Sequence, residues 1–183
     1  SSEQETVLQK IHDGFEQGKV VLLHGVTGSG KTEIYARLIR ETLEKGRQVL
    51  YLLPEIALTT QLVSRMKAYF GEKTGVYHSR YNDMQRAEVW QRVRGNASNR
   101  FDLILGARSA VFLPFEDLGL IIVDEEHEPS YKQQDPAPRY HGRDTAIYLG
   151  KLAGANILLG SATPAIESYH NALNGKFALA ELT

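Results

Sequence analysis

The sequence predicts an α/β fold, a mostly parallel, doubly wound sheet with helices on both faces. Three observations predict it. Short, apolar, β-branched runs alternate with longer amphipathic stretches. The short runs are apolar at every position rather than at alternate ones, as strands covered on both faces must be. Glycines stand where the amphipathic stretches end, at Gly46, Gly71 and Gly154, which suits helix C-terminal caps. The β-α-β-α order calls for parallel strands joined by right-handed crossovers.

Each element follows in order. The expected strands are Val20–His24, Gln48–Leu53, Thr74–His78, Phe101–Leu105, Leu120–Val123 and Asn156–Leu159, with Ala178–Thr183 as a final edge strand. Between them, apolar residues fall at helical spacing: Ile34, Leu38, Ile39 and Leu43; then Leu62, Val63, Met66, Tyr69 and Phe70; then Met84, Ala87, Trp90 and Val93; then Ala146, Leu149, Leu152 and Ala153. Trp90 is read as core on this pattern. Residues 94–100, RGNASNR, read as a surface loop. Residues 128–141, EPSYKQQDPAPRYH, carry three prolines and two tyrosines and are too long for a default connection. No internal repeat or interdomain linker is evident, so residues 1–183 form one unit.

Composition narrows the function classes. With 42% hydrophobic and 23% charged residues, the 183-residue chain is of ordinary globular type. There are 21 Lys+Arg against 22 Asp+Glu, so any phosphate binding must come from local geometry rather than bulk charge. The absence of cysteine excludes a disulfide scaffold, a Cys-ligated zinc site and a cysteine nucleophile within these residues. The apolar runs at Val20–Leu23 and Leu118–Val123 fall far short of the roughly 20 residues of a membrane span. No export leader opens the sequence and no membrane partner is expected.

Residues 25–32 read Gly25-Val26-Thr27-Gly28-Ser29-Gly30-Lys31-Thr32, a complete G-x-x-x-x-G-K-[ST] phosphate loop. An apolar strand precedes it and a helix follows. Gly28 and Gly30 let the backbone curl so that its N–H groups face a polyphosphate. The helix starting at Lys31 adds its N-terminal dipole. Lys31 is expected to reach the β/γ oxygens, and Thr32 to ligate Mg²⁺. At 120–127, LIIVDEEH, a strand delivers Asp124 and Glu125 to the sheet edge that also carries the phosphate loop. Asp124 suits Mg²⁺, and Glu125 suits a general base for water. The site thus suits a polyphosphate held with Mg²⁺. His127, three residues after Asp124, is a weaker candidate. At 160–164, GSATP, Ser161 and Thr163 can hydrogen-bond the acidic motif and sense the γ-phosphate, while Thr163 before Pro164 also suits a helix N-cap.

GVTGSGKT, DEEH and SATP, in this order, resemble motifs I, II and III of superfamily 2 helicases. The similarity is closest to the primosomal replication-restart helicases of the primosomal protein N′ (PriA) type. PEIALTTQ at 54–61, YHS at 77–79, GARSAVF at 106–112, and DEEHEPSYKQQ at 124–134 leading into RYHGRD at 139–144 all resemble that family, over essentially the whole chain. The resemblance implies a RecA-like P-loop NTPase lobe of the DEAH type, the first of two in a longer protein. It implies ATP hydrolysis coupled to movement on single-stranded and forked DNA during replication restart. Gln4 stands where the family places an adenine-reading glutamine. Thr59, Thr60, Gln61, Arg108 and Ser109 match strand-contacting positions. Tyr131, Lys132, Arg139, Tyr140 and Arg143 match an aromatic-rich loop that couples DNA to hydrolysis, with His127, Ser161 and Thr163 as coupling residues. Residues 126–151 carry four Lys/Arg and four Asp/Glu, so no basic stripe supports the DNA reading independently.

The resemblance further implies a bacterial cytoplasmic protein at the nucleoid, with other primosome components and single-stranded-DNA-binding protein as partners. It places a second lobe and a zinc module outside this chain, so the lobe alone is expected to bind nucleotide weakly and hydrolyse it poorly. Ala107 departs from the family's usual Thr, Arg80-Tyr81 from a small residue then Leu, and Gly142 from Ala; the first puts a phosphate-backbone contact in doubt. Two other classes share the phosphate loop. A small-molecule kinase would want an arginine-rich lid, which is absent from the sequence. A non-catalytic nucleotide-gated module fits poorly with Lys31, Asp124 and Glu125 all intact.

Overall fold

A computed structural model of the chain describes residues 2–183. Seven strands form one sheet: β1 Val21–Gly25, β2 Gln48–Leu52, β3 Thr74–Tyr77, β4 Leu103–Gly106, β5 Leu118–Val123, β6 Asn156–Ser161 and β7 Ala178–Leu182. Their order across the sheet is β3-β4-β2-β5-β6-β1-β7, and every pairing is parallel. All seven expected strands are present, and the last is indeed an edge strand. Their ends move by one or two residues, with β4 starting at Leu103 rather than Phe101.

Six helices cover the sheet: α1 Ser2–Glu16, α2 Lys31–Glu44, α3 Thr60–Phe70, α4 Asp83–Arg94, α5 Gly142–Ala153 and α6 Ile166–Leu173. Strand side chains alternate between two apolar layers. Val21, Leu23, Val49, Tyr51 and Leu53 join α1, α2 and α3 on one face. Leu22, Leu50, Leu52, Ile121 and Leu159 join the other face with α4, α5 and α6. This two-sided burial is why the strands read as unbroken apolar runs.

Helices α1 and α6 were not among the expected elements. In α4 the expected apolar face is corrected. Val89 and Val93 are the buried residues, while Met84 is 82% and Trp90 45% exposed. Residues 94–100 form the expected surface loop. Parallel strands point their carboxyl ends to one rim. The connections after β1, β2, β3, β4, β5 and β6 all start there, so every motif segment singled out above except Gln4 gathers on one edge.

Candidate active site and nucleic-acid face

The phosphate loop leaves β1 and enters α2 through Gly28 (φ 82°) and Gly30 (φ 97°). Both lie in the left-handed region, which glycine alone enters at no steric cost. A Cβ on Gly30 would stand 2.8 Å from the Gln4 side-chain nitrogen, so α1 brings Gln4 against this loop. Lys31 is buried. Its Nζ donates to the Gly25 and Val26 carbonyls at 2.7 and 3.1 Å. Ser29 Oγ is buried with no hydrogen-bond partner among the described residues. A cationic amine resting on its own loop, an unpartnered hydroxyl and two glycine-made turns at a helix N-terminus together fit a polyphosphate. Val26 and Thr27 are exposed, and Thr32 is half-buried on the first turn of α2.

Asp124 directly follows β5, two strands from β1, and it is the centre of a cage. Tyr35 Oη donates to its Oδ1 at 2.9 Å, Tyr51 Oη to its Oδ2 at 3.3 Å, and the Glu125 N–H to Oδ1 at 3.0 Å. Tyr131 Oη donates to its carbonyl at 2.5 Å. Loss of solvent raises the Asp124 pKa, opposed first by the Tyr35 hydrogen bond, with Lys31 among the groups that favour its ionised form. Burial, then the Asp124 charge, pushes the Tyr35 and Tyr51 hydroxyls well above the usual phenol range, so both stay protonated donors. Tyr35 lies one turn after Lys31 on α2, so the Tyr35–Asp124 bond ties the phosphate-loop helix to the acidic strand end. Lys31 and Asp124 therefore share one rim.

After Asp124 the chain turns sharply. Glu125 has φ 48°, a left-handed conformation uncommon for a side-chain-bearing residue. The turn is secured at both ends: Asp124 N donates to Leu52 O, Glu126 N to Gly160 O, and Glu128 N to Glu125 O. Glu126 is fully buried. Its carboxylate accepts from Arg143 Nη1 at 3.0 Å, Ser168 Oγ at 2.8 Å and Ala165 N at 2.7 Å. His127 Nδ1 meets Ser161 Oγ at 2.6 Å, and Ser161 Oγ accepts from Thr163 N at 2.9 Å. The three residues expected to couple motifs II and III thus stand in one hydrogen-bonded row. Thr163 is not a helix N-cap; α6 begins at Ile166 after Ala165.

Among the strand-contact candidates, Thr59 caps α3, its Oγ1 accepting from Leu62 N at 3.2 Å. Thr60 and Gln61 lie exposed on the first turn of that helix. Arg108 Nη1 donates to Ser130 O at 2.8 Å, linking the segment after β4 to the loop after β5. Beside it runs a cleft lined by Pro54, Glu55, Ser79, Arg86, Ser109 and Gln133. Glu55 also lines a second cleft, along Thr59, Thr60, His78 and Arg80. Glu55 accepts from Ser79 N and Ser79 Oγ, and those bonds hold its carboxyl below the usual range.

Two of the loop candidates are corrected. Tyr131 is 1% exposed with its hydroxyl committed to Asp124, so it has no face for a base. Arg143 is 9% exposed and held by Glu126 and Asp144, so it has no free guanidinium for phosphate. Lys132 and Arg139 are exposed, and Tyr140 packs edge-on against Phe112 at 4.8 Å. At Gly142 a Cβ would stand 2.9 Å from that of Arg108, so this departure gives Arg108 its seat.

Reading the sequence alone missed Tyr35, Tyr51, Glu126, Gly160 and Ser168. A signal existed for Tyr35, which falls four residues after Lys31 and hence on the same helical face. A buried tyrosine also implies a partner for its hydroxyl.

A strand, a glycine-rich loop, a helix capped by that loop and an acidic strand end on the same rim define a P-loop nucleotide-binding domain of the RecA-like type. The family profile described as DEAD/DEAH box helicase matches residues 1–172. The chain belongs to the DEAD/DEAH box helicase family.

Among similar proteins is the replication restart protein PriA of Chlamydia pneumoniae, 48% identical over 99% of this chain and 24% of its own length. Those of Haemophilus influenzae and Bacillus subtilis are 52% and 44% identical over 91% and 100% of this chain, each over 22% of the relative. The chain thus spans about a quarter of the length of the curated relatives it matches. Similar solved structures include RecG bound to a three-way DNA junction, with TM-score 0.71 and 20% identity over 100% of this chain and 24% of that one. The Pyrococcus furiosus Hef helicase domain has TM-score 0.68 and 21% identity over 97% of this chain and 36% of that one. At these identities the structures speak to the fold.

Proposed function

We propose that residues 1–183 are the first motor lobe of an ATP-dependent DNA helicase that acts in replication restart. The observation that carries the reading is the shared rim: Lys31, held by its own loop, and Asp124, which takes the hydroxyl of Tyr35 one turn further along α2, stand on the same sheet edge. Backbone N–H groups of residues 25–32 and Lys31 would take the phosphates of ATP, and Gln4 the adenine side. Thr32 and Asp124 would hold Mg²⁺, which supplies charge neutralisation at the phosphates when bound. Glu125, aimed out of the strand by its left-handed backbone, would accept the proton of the attacking water. The His127–Ser161–Thr163 row would pass the state of the site toward the lobe's DNA face.

Single-stranded DNA would lie along the rim over Thr59, Thr60, Gln61, Arg108 and Ser109, with Lys132, Arg139 and Tyr140 at its margin. These hydroxyl, amide and cationic groups suit sequence-blind contacts to a backbone. The high similarity to replication restart proteins supports forked DNA, primosome components and single-stranded-DNA-binding protein as partners of the complete protein, in the bacterial cytoplasm at the nucleoid. Among the described residues no helix is long and apolar enough to cross a membrane.

The test is titration of this chain with a fluorescent ATP analogue, with and without Mg²⁺. Binding is expected to be measurable and weak, and Lys31→Ala should remove most of it. Turnover by this chain alone that matches the complete protein's DNA-stimulated rate would refute the single-lobe reading. Phosphoryl transfer to a metabolite would refute the helicase reading itself.

A further inference from the structure

The Asp124 carboxylate is held by two tyrosines from two different elements. Tyr35, on α2, is fully buried and donates to Oδ1 at 2.9 Å; Tyr51, on β2, is 1% exposed and donates to Oδ2 at 3.3 Å. Their rings brace each other edge-on, with centroids 5.6 Å apart and planes at 70°. Oδ1 takes Tyr35 and the Glu125 N–H while Oδ2 takes Tyr51, so rotation of the group about its terminal bond breaks the bonds to both oxygens at once. A carboxylate bound through one oxygen pivots; one bound through both keeps its plane.

The Tyr35 hydroxyl reaches Asp124 only because of Gly160. A Cβ on Gly160 would stand 1.8 Å from Tyr35 Oη and 3.0 Å from Tyr35 Cζ. The hydroxyl crosses β6 where its neighbour on that strand has no side chain. Gly160 also accepts the Glu126 N–H, so the same residue supports both the tyrosine and the acidic turn.

We infer that Tyr35 and Tyr51 are positioning residues that fix the plane of the Asp124 carboxylate for the nucleotide-bound divalent cation, and that Gly160 is the gap through which Tyr35 does so. This rests on the reading of Asp124 as the cation-side carboxylate. Neither tyrosine touches nucleotide in this role. Both act on how well magnesium is held rather than on the phosphate loop.

The experiment is a binding titration of the purified chain with a fluorescent ATP analogue, first in EDTA and then across a magnesium series. Tyr35→Phe should leave binding in EDTA unchanged and raise the magnesium midpoint by roughly tenfold, the low end of what loss of an outer-shell partner costs a metal site. Tyr51→Phe should shift it in the same direction by less, in keeping with its longer bond, and the double variant by more. Gly160→Ala should lower the melting temperature. Gly160→Ala combined with Tyr35→Phe removes the closest clash, so it should recover melting temperature while keeping the raised midpoint, which a purely structural role would not produce. Asp124→Asn separates the two claims. If it shifts the midpoint and neither tyrosine variant does, the inference is overturned and the parent reading stands. If Asp124→Asn leaves the midpoint in place, or the wild-type chain shows no magnesium dependence, both fall.

Discussion

Glu126→Ala tests whether the acidic turn is anchored from beneath. The Glu126 side chain has no solvent exposure and accepts three hydrogen bonds, from Arg143 Nη1 at 3.0 Å, Ser168 Oγ at 2.8 Å and Ala165 N at 2.7 Å. Truncation strands the Arg143 guanidinium, whose side chain is 11% exposed and whose other carboxylate partner, Asp144, is 62% exposed. Removing one partner of a buried pair costs about 3–5 kcal/mol, because the remaining charge stays buried without compensation. For a domain of this size each kcal/mol moves the melting temperature by about 2–4 °C, so a fall of roughly 6–20 °C is expected. Thermal unfolding of the purified chain, followed by circular dichroism, reads it directly. Ser168→Ala, which removes one donor and leaves the ion pair, should cost only about 1 kcal/mol. Glu128→Ala, whose partner His127 is 4.0 Å away at the surface, is the control and should fall within about 0.5 kcal/mol of wild type. A Glu126→Ala melting point within the Glu128→Ala range would refute the anchoring argument.

Gln48 is fully buried and uses both ends of its amide, donating to Val93 O and Phe101 O and accepting from Glu116 N and Asp117 N. Gln48→Leu keeps the volume and orphans those groups, so denaturant titration should show a loss of about 2–4 kcal/mol. His141 has its pKa lowered, first by burial and then by Arg143, and its Nδ1 has no hydrogen-bond partner among the described residues. A depressed folded value means the unfolded chain takes up the proton first. The His141 contribution is therefore intact above about pH 6.5 and declines as pH falls below it, and His141→Asn should flatten the stability–pH profile in that range. Arg108→Ala should weaken single-stranded DNA binding by the complete protein equally across sequences and reduce the salt slope by about 1, as loss of one phosphate contact does. In the complete protein Glu125→Gln should abolish ATP hydrolysis while nucleotide binding persists; steady-state hydrolysis at the wild-type rate would remove Glu125 from the base role.

The strands were legible because a sheet buried on both faces leaves no polar alternation to confuse with helix, and the phosphate loop because its glycines and lysine are fixed by chemistry rather than packing. The α4 face was misread for a geometric reason. Met84, Ala87, Trp90 and Val93 are spaced by three, and at 3.6 residues per turn a step of three falls short of a full turn by about 60°, so the set winds around the helix. Val89 and Val93, spaced by four, hold one face and are the buried pair. Helix α6 escaped notice because its large apolar residues Ile166 and Leu173 are exposed, at 85% and 65%, while small Ser168 and Ala172 face inward. Tyr131 and Arg143 were misplaced because a loop's composition does not tell which aromatic and which cation turn inward. That depended on Glu126, whose neighbours Ser168 and Ala165 lie some forty residues further on.

The acidic turn shows how a strained backbone is retained. A left-handed Glu125 costs about 1–3 kcal/mol wherever glycine would be free. Glycine there would relieve the backbone and remove the carboxylate. What holds the conformation is distributed over the surrounding elements: Leu52 O of β2 takes the Asp124 N–H, Gly160 O of β6 takes the Glu126 N–H, and Glu126 itself is bonded by residues of α5, α6 and the segment preceding α6. The strand that brings Asp124 to the rim would carry the next side chain to the opposite face of the sheet, since successive strand residues alternate. The sharp turn at Glu125 breaks that alternation and releases its carboxylate from the sheet, half-buried beside Asp124 at the rim. The two adjacent acids of DEEH can therefore serve one site only because the chain leaves its strand between them, and the buried third acid secures the departure.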